Sequence, residues 1–173
     1  MALNKHLIFL VDDDPMNNEM LKSHLEEKFK LDIKQFATGE DCIAALDQNP
    51  QYVILDFNLN STKRDAKNGI EILKAIKEKN PDIYVVMLSG QDKIEVAIDT
   101  MRNGAYDYVV KNPSAFVRTE NIIYNIHHNL RLVFAARAYK TATFVLGGFI
   151  MLAIIVAIVL KITGVSTESL GWF

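Results

Sequence analysis

The run His6-Leu7-Ile8-Phe9-Leu10-Val11, breaking off into Asp12-Asp13-Asp14-Pro15, decides the fold. Its β-branched and aromatic residues suit a strand. Three acids and a proline end it, and behind them Met16, Met20, Leu21 and Leu25 fall at helical spacing. The same alternation then repeats. Strand candidates Leu31–Phe36, Tyr52–Asp56, Ile83–Ser89 and Tyr106–Val110 are separated by helical patterns in Ile43, Ala44 and Leu46, in Ile70, Leu73 and Ile76, and in Ile94, Ala97, Ile98 and Met101. Five βα units in series call for an α/β fold, a doubly wound five-stranded parallel sheet covered by helices on both faces. The expected strand order is 2-1-3-4-5, whose switch point puts a ligand at the carboxyl ends of the strands.

Composition narrows the classes of function. The chain has 173 residues with 19 Lys and Arg against 21 Asp and Glu, a net charge of −2. Such a balance offers no electrostatic argument for a nucleic-acid surface, which needs clustered bases. A hydrophobic content of 50% excludes a disordered chain. The single cysteine, Cys42, cannot form an intramolecular disulfide, so the folded part suits a reducing compartment.

The strand ends carry the chemistry. The first strand runs out into Asp12 and Asp13, the third ends at Asp56, the fourth at Ser89-Gly90 and the fifth at Lys111. Gathered in one pocket, Asp12, Asp13 and Asp56 repel one another unless a cation compensates, and a hard divalent ion such as Mg²⁺ is the natural choice. One carboxylate can then be a nucleophile toward a phosphoryl group while metal and ammonium neutralise its oxygens. Read singly, Asp12–Asp14 before Pro15 is a helix cap, Asp56 a strand-terminal acid, Ser89 a turn residue and Lys111 a solvated base. The required acids, hydroxyl and lysine at four strand ends, in the right order, point jointly to a phosphoacceptor site.

On these residues the chain resembles the receiver domain of bacterial two-component response regulators, over nearly all of residues 5–130. The matching segments are Leu10-Val11-Asp12-Asp13-Asp14-Pro15, Val53-Ile54-Leu55-Asp56-Phe57-Asn58, Met87-Leu88-Ser89-Gly90 and Gly104-Ala105-Tyr106-Asp107-Tyr108-Val109-Val110-Lys111. The resemblance implies a flavodoxin-like fold with Asp56 as phosphoacceptor. It also implies Mg²⁺ held by Asp12, Asp13, Asp56 and the backbone carbonyl of Asn58, with Lys111 on the phosphoryl oxygens. Ser89 and Tyr108 match the positions that rearrange on phosphorylation, and Asn58 and Gln91 those that tune phosphate lifetime. The implied donor is a sensor histidine kinase or a histidine phosphotransfer protein. The segment from Asn58 to Gly69 departs from the family by its length, its missing proline and its bases Lys63, Arg64 and Lys67; it reads either as a solvated loop insertion or as a contact for a partner or anionic lipid head groups. After Lys111 stands Asn112, where a cis peptide would cost about 3 kcal/mol.

From Ala142 to Leu160 run 19 residues without a charge, twelve of them Leu, Ile, Val or Phe. As a helix this run spans roughly 28 Å, close to a hydrocarbon core of about 30 Å. Arg131, Arg137 and Lys140 precede it and only Lys161 follows, so residues 1–140 are expected in the cytoplasm. The expected organisation is a receiver domain at 1–130, a helical juxtamembrane connection at 131–141, a transmembrane helix at 142–162 and a short extracytoplasmic tail at 163–173 carrying Trp172. No signal peptide is read at the N-terminus. No Pro or Gly interrupts Ala115 to Leu146, so the last soluble helix is expected to run unbroken into the span. Ala153 and Ala157 form a small-xxx-small pair that allows close helix approach, a candidate homodimer face.

The expected function is therefore a single-domain response regulator anchored by one span in the inner membrane, not an enzyme in the ordinary sense. It would signal by a phosphorylation-dependent change of its own surface, since little chain is left for an output domain. The alternatives are a receiver fold that docks a membrane partner without phosphate, a phosphorelay sink, and a phosphatase of the aspartyl-phosphate type. The last would want a second Asp where Asn58 stands. His6, His24, His127 and His128 read as surface or packing residues, and Cys42 as a small core residue.

Overall fold

A computed structural model describes residues 7–59 and 68–163, and of residues 129–138, 140–142 and 162–163 the backbone alone. Its elements run β1 (Leu7–Val11), α1 (Pro15–Lys28), β2 (Asp32–Phe36), α2 (Gly39–Ala44), a short 3₁₀ turn (Leu46–Gln48), β3 (Tyr52–Asp56), α3 (Gly69–Lys79), β4 (Tyr84–Ser89), α4 (Ile94–Arg102), β5 (Asp107–Val110) and α5 (Ala115–Thr163). The five strands form one parallel sheet in the order β2-β1-β3-β4-β5. This is the doubly wound, flavodoxin-like arrangement, and the order reverses between β1 and β3.

The central strands are buried on both faces, as a sheet covered by helices requires. Every residue of β3 is buried, as are Ile8–Val11 and Val85–Ser89. On one face Phe9, Val11, Val53, Leu55, Val85, Met87 and Tyr108 pack with Cys42 and Leu46 and with Ile72, Leu73 and Ile76 of α3. Burial pushes the Cys42 thiol up to about 12, which leaves it an inert core group.

Two helices turn faces other than those their apolar spacing announces. In α1 the buried residues are Asn18, Leu21 and Leu25, while Met16 and Met20 are 70% and 54% exposed. In α4 Ile94, Ile98 and Met101 lie exposed and Thr100 is buried. Packing against the sheet sets the phase of a short helix, and a buried Asn or Thr is tolerated where it bonds backbone. In α1 that is the case: Asn18 donates to the backbone carbonyls of Asp12 and Phe36.

The chain divides into two compact units, Met1–Asn125 and Ile126–Phe173. Within the second, Thr143–Lys161 is long and apolar enough to cross a membrane, and none of it is buried within the chain. Of the segments read above, His6, residues 60–67 of the loop insertion and residues 164–173 of the tail lie outside the described residues.

Candidate functional site

The three acids after β1 divide their roles. Asp14 is the cap: its side chain accepts from the Met16 N–H at 2.9 Å, with Pro15 at the first helical position. Asp12 is buried instead, and its Oδ1 accepts from the Asp14 N–H at 2.9 Å. The capping and the pocket readings of the triplet thus both hold, at different residues. Asp12, Asp13 and Asp56 bring one carboxylate oxygen each to within 4.8 Å of one another.

Lys111, just past β5, reaches into this cluster from the other side. Its Nζ lies 2.8 Å from Asp12 Oδ2 and 3.0 Å from Asp56 Oδ1. Burial alone would lower the Lys111 pKa, but the bond to Asp12 and the charges of Asp56 and Asp12 outweigh it and raise it. Its stabilisation is therefore complete below the ordinary 10.5 and is lost only as pH rises through the higher folded value. Asp56 is shifted the other way in its effect on stability. Burial, reinforced by Asp12, raises its pKa despite Lys111, so the carboxylate is held at a cost. Its Oδ1 is buried and meets Lys111 Nζ as an ion pair at 3.0 Å. A second cation fits this donor set: three hard oxygens, excess negative charge and a buried oxygen with bonding capacity to spare.

A pH dependence follows with a definite sign. The folded chain holds the Asp56 proton more tightly than the unfolded one, so Asp56 costs stability as pH rises from its ordinary 3.8 through the raised value. In EDTA, the melting temperature of Asp56→Asn minus that of wild type is expected to grow across that window. A difference that shrinks with pH would contradict the assignment.

Gly69 opens α3 against the back of Asp56. A Cβ built there would stand 2.8 Å from the Asp56 carbonyl oxygen and 2.7 Å from Phe57 Cα, both backbone atoms that cannot swing away. The helix start is pinned by the Gly69 N–H to Phe57 carbonyl bond at 3.0 Å and by a capping box between Asn68 and Glu71. Gly69→Ala is expected to destabilise by about 1–3 kcal/mol, the scale of overpacking. Thermal melting of the full-length chain in detergent measures it, and an unchanged midpoint would show that α3 yields freely.

Ser89, Gln91 and Tyr108 form a chain on the β4 side. Ser89 is fully buried and its Oγ accepts from the Gln91 N–H at 3.0 Å, while the Tyr108 hydroxyl donates to the Gln91 carbonyl at 2.7 Å. The backbone of one residue thereby links two hydroxyl side chains. The Lys111 N–H continues the ladder to the Ser89 carbonyl. No cis peptide bond occurs among the described residues, Lys111–Asn112 included. Asn58 lies on the exposed rim two residues past Asp56. Asp12, Asp13, Asp56 and Lys111 are thus brought together, with Ser89 at the next strand end. Among the described histidines, His24 pairs with Glu120 at 2.9 Å, and His127 and His128 belong to α5.

Sequence reasoning missed Gly69 and Asn18. The Asn68-x-x-Glu71 pattern before an apolar run could have signalled the first. The spacing of Asn18 with Leu21 and Leu25 could have signalled the second.

Comparison with known proteins matches the geometry. A family model for the response regulator receiver domain aligns with residues 8–119. The nitrogen assimilation regulatory protein NtrX of Azorhizobium caulinodans is 33% identical over 110 residues, 61% of this chain and 23% of that protein. The regulatory protein LuxO of Vibrio cholerae is 30% identical over 103 residues, 59% of this chain and 21% of LuxO. Each alignment therefore spans less than a quarter of the relative's own length. Among solved structures, the BeF3-activated receiver domain of DrrB from Thermotoga maritima is similar at 27% identity and a TM-score of 0.59, over 72% of this chain and 98% of that one.

Proposed function

This chain belongs to the response regulator receiver domain family, and from that premise we propose that it is a membrane-anchored response regulator phosphorylated on Asp56. The observation that carries the reading is the convergence of Asp12, Asp13, Asp56 and Lys111 at the carboxyl edge of the sheet. The BeF3-activated state of the similar DrrB domain supports it. An Asp56 carboxylate oxygen would attack the phosphorus of a phosphohistidine on a sensor kinase or phosphotransfer protein. The new O–P bond replaces the N–P bond, and the imidazole nitrogen keeps the electron pair. Lys111 would shift from Asp56 toward the incoming phosphoryl oxygens. Asp12, Asp13, Asp56 and the Asn58 carbonyl would hold Mg²⁺, which when bound supplies neutralisation of the clustered charge.

The hydroxyl of Ser89 would exchange its bond from the Gln91 N–H for one to the phosphoryl group. Freed from Ser89, the Gln91 backbone would move and carry the Tyr108 hydroxyl with it. That would shift a balance between two surface states. Asn58 and Gln91 flank the acceptor and would set how readily water reaches the acyl phosphate.

The anchor in this reading is the exposed apolar stretch of α5. The three bases before it support a receiver on the cytoplasmic side of the inner membrane. Two measurements test the proposal on the full-length chain. Intact mass after incubation with acetyl phosphate should rise by one phosphoryl group with Mg²⁺ and stay constant with EDTA. Expressed in cells, the chain should remain in the membrane pellet through an alkaline carbonate wash and leave it in detergent; release by carbonate alone would overturn the anchoring.

A further inference from the structure

We propose that Asn18 is a positioning residue for the cation site, holding Asp12 in place from inside α1. The inference rests on the reading of Asp12, Asp13 and Asp56 as a Mg²⁺ site and adds to it a residue that touches no ligand. Asn18 is 6% exposed, in the middle of the α1 face that packs on the sheet. Its Nδ2 donates to the carbonyl of Asp12 at 2.9 Å and to that of Phe36 at 3.2 Å. These carbonyls stand at the carboxyl ends of β1 and β2, where Val11 pairs with Phe36 and the ladder closes with the Asp12 N–H on the Phe36 carbonyl at 3.2 Å.

Both side-chain N–H groups are thus spent at one corner. A buried carbonyl left without a donor is costly, so the corner is over-determined once Asn18 is present. Asp12 is then held at three points of one residue: its N–H by Phe36, its carbonyl by Asn18, and its carboxylate by the Asp14 N–H and Lys111. Fixing the backbone fixes where the carboxylate projects, and groups that orient a metal ligand commonly change affinity by about 10–100-fold when removed. An apolar residue at this position would pack as well and hold nothing.

The test uses the full-length chain in detergent micelles, with MgCl₂ titrated by calorimetry. Asn18→Leu keeps the branched shape and removes both donors. Asn18→Ala covers the case in which the leucine variant fails to fold, because Asn18 borders a cleft of about 390 Å³ from which water can reach the freed Asp12 carbonyl. Leu25→Val, on the same buried face, loosens the packing of α1 without touching Asp12. Both Asn18 variants are expected to weaken Mg²⁺ by about ten-fold or more, while Leu25→Val lowers the melting temperature and leaves the affinity within two-fold. Wild-type affinity in the folded Asn18 variants overturns the proposal. So does an equal loss in Leu25→Val, which would trace the effect to helix packing. Absence in the wild type of any Mg²⁺ binding that Asp12→Asn abolishes is a different failure, that of the metal-site reading itself.

Discussion

Asp56→Asn is expected to take up no phosphoryl group and, freed of metal, to melt higher than the wild-type chain. Both effects come from one oxygen. The carboxylate is the only nucleophile at the end of β3, and an amide nitrogen or carbonyl cannot form the acyl phosphate. The same carboxylate lies buried beside Asp12 and within 4.8 Å of Asp13, so folding without a cation forces like charges together. Lys111 offsets part of that cost as an ion pair 3.0 Å from Oδ1. The amide keeps the shape and removes the charge. A gain of about 1 kcal/mol corresponds to about 2–8 °C for domains of this size range. Mg²⁺ should reverse the order, raising the wild type more than the variant. Intact mass spectrometry and melting in EDTA and in MgCl₂ read the two effects separately; an amide variant that melts below the wild type in EDTA would show that the Lys111 pair outweighs the repulsion.

Lys111→Met is the complementary change and is expected to act in the opposite direction. Among the described residues it removes the ammonium that forms ion pairs with Asp12 and Asp56, while keeping a flexible chain of similar reach. Breaking a buried ion pair by deleting one partner costs about 3–5 kcal/mol. Lys111 is 29% exposed, so water can enter behind it and the loss should sit lower, at about 2 kcal/mol. The remaining carboxylates then need another counter-charge, so the variant should gain more stability from Mg²⁺ than the wild type does. Phosphoryl uptake from acetyl phosphate should fall steeply, since nothing replaces the ammonium on the transferred oxygens. A variant that melts like wild type in EDTA would mean that the acids are already neutralised by protonation. Repeating the melts at higher pH separates the two cases.

The strands were legible because their signal is local. β3 runs from Tyr52 to Asp56 as its residue types announce, β2, β4 and β5 begin one residue later than read, and β1 is described from Leu7. The strand-end residues were legible for the same reason, since a strand that stops at an acid puts that acid at the sheet edge whatever surrounds it. The phases of α1 and α4 were not. Met16 and Met20 look like core, and so do Ile94, Ile98 and Met101, yet all are exposed while Asn18 and Thr100 are buried. A helix of nine to 14 residues has too few turns for periodicity to settle its rotation against the sheet.

Taken by itself, the sequence determined the five βα units, their parallel sheet, the acids and the lysine at its carboxyl edge, and an apolar stretch long enough to span a bilayer. Only the tertiary structure decided which of three adjacent acids caps α1 and which enters the pocket, that Lys111 grips Asp12 and Asp56 together, and that Gly69 and Asn18 brace the backbone behind them. The division follows from range. Propensity and alternation act between neighbours in the chain, whereas Lys111 meets Asp12 across 99 residues, and such a meeting exists only once the sheet has been assembled between them.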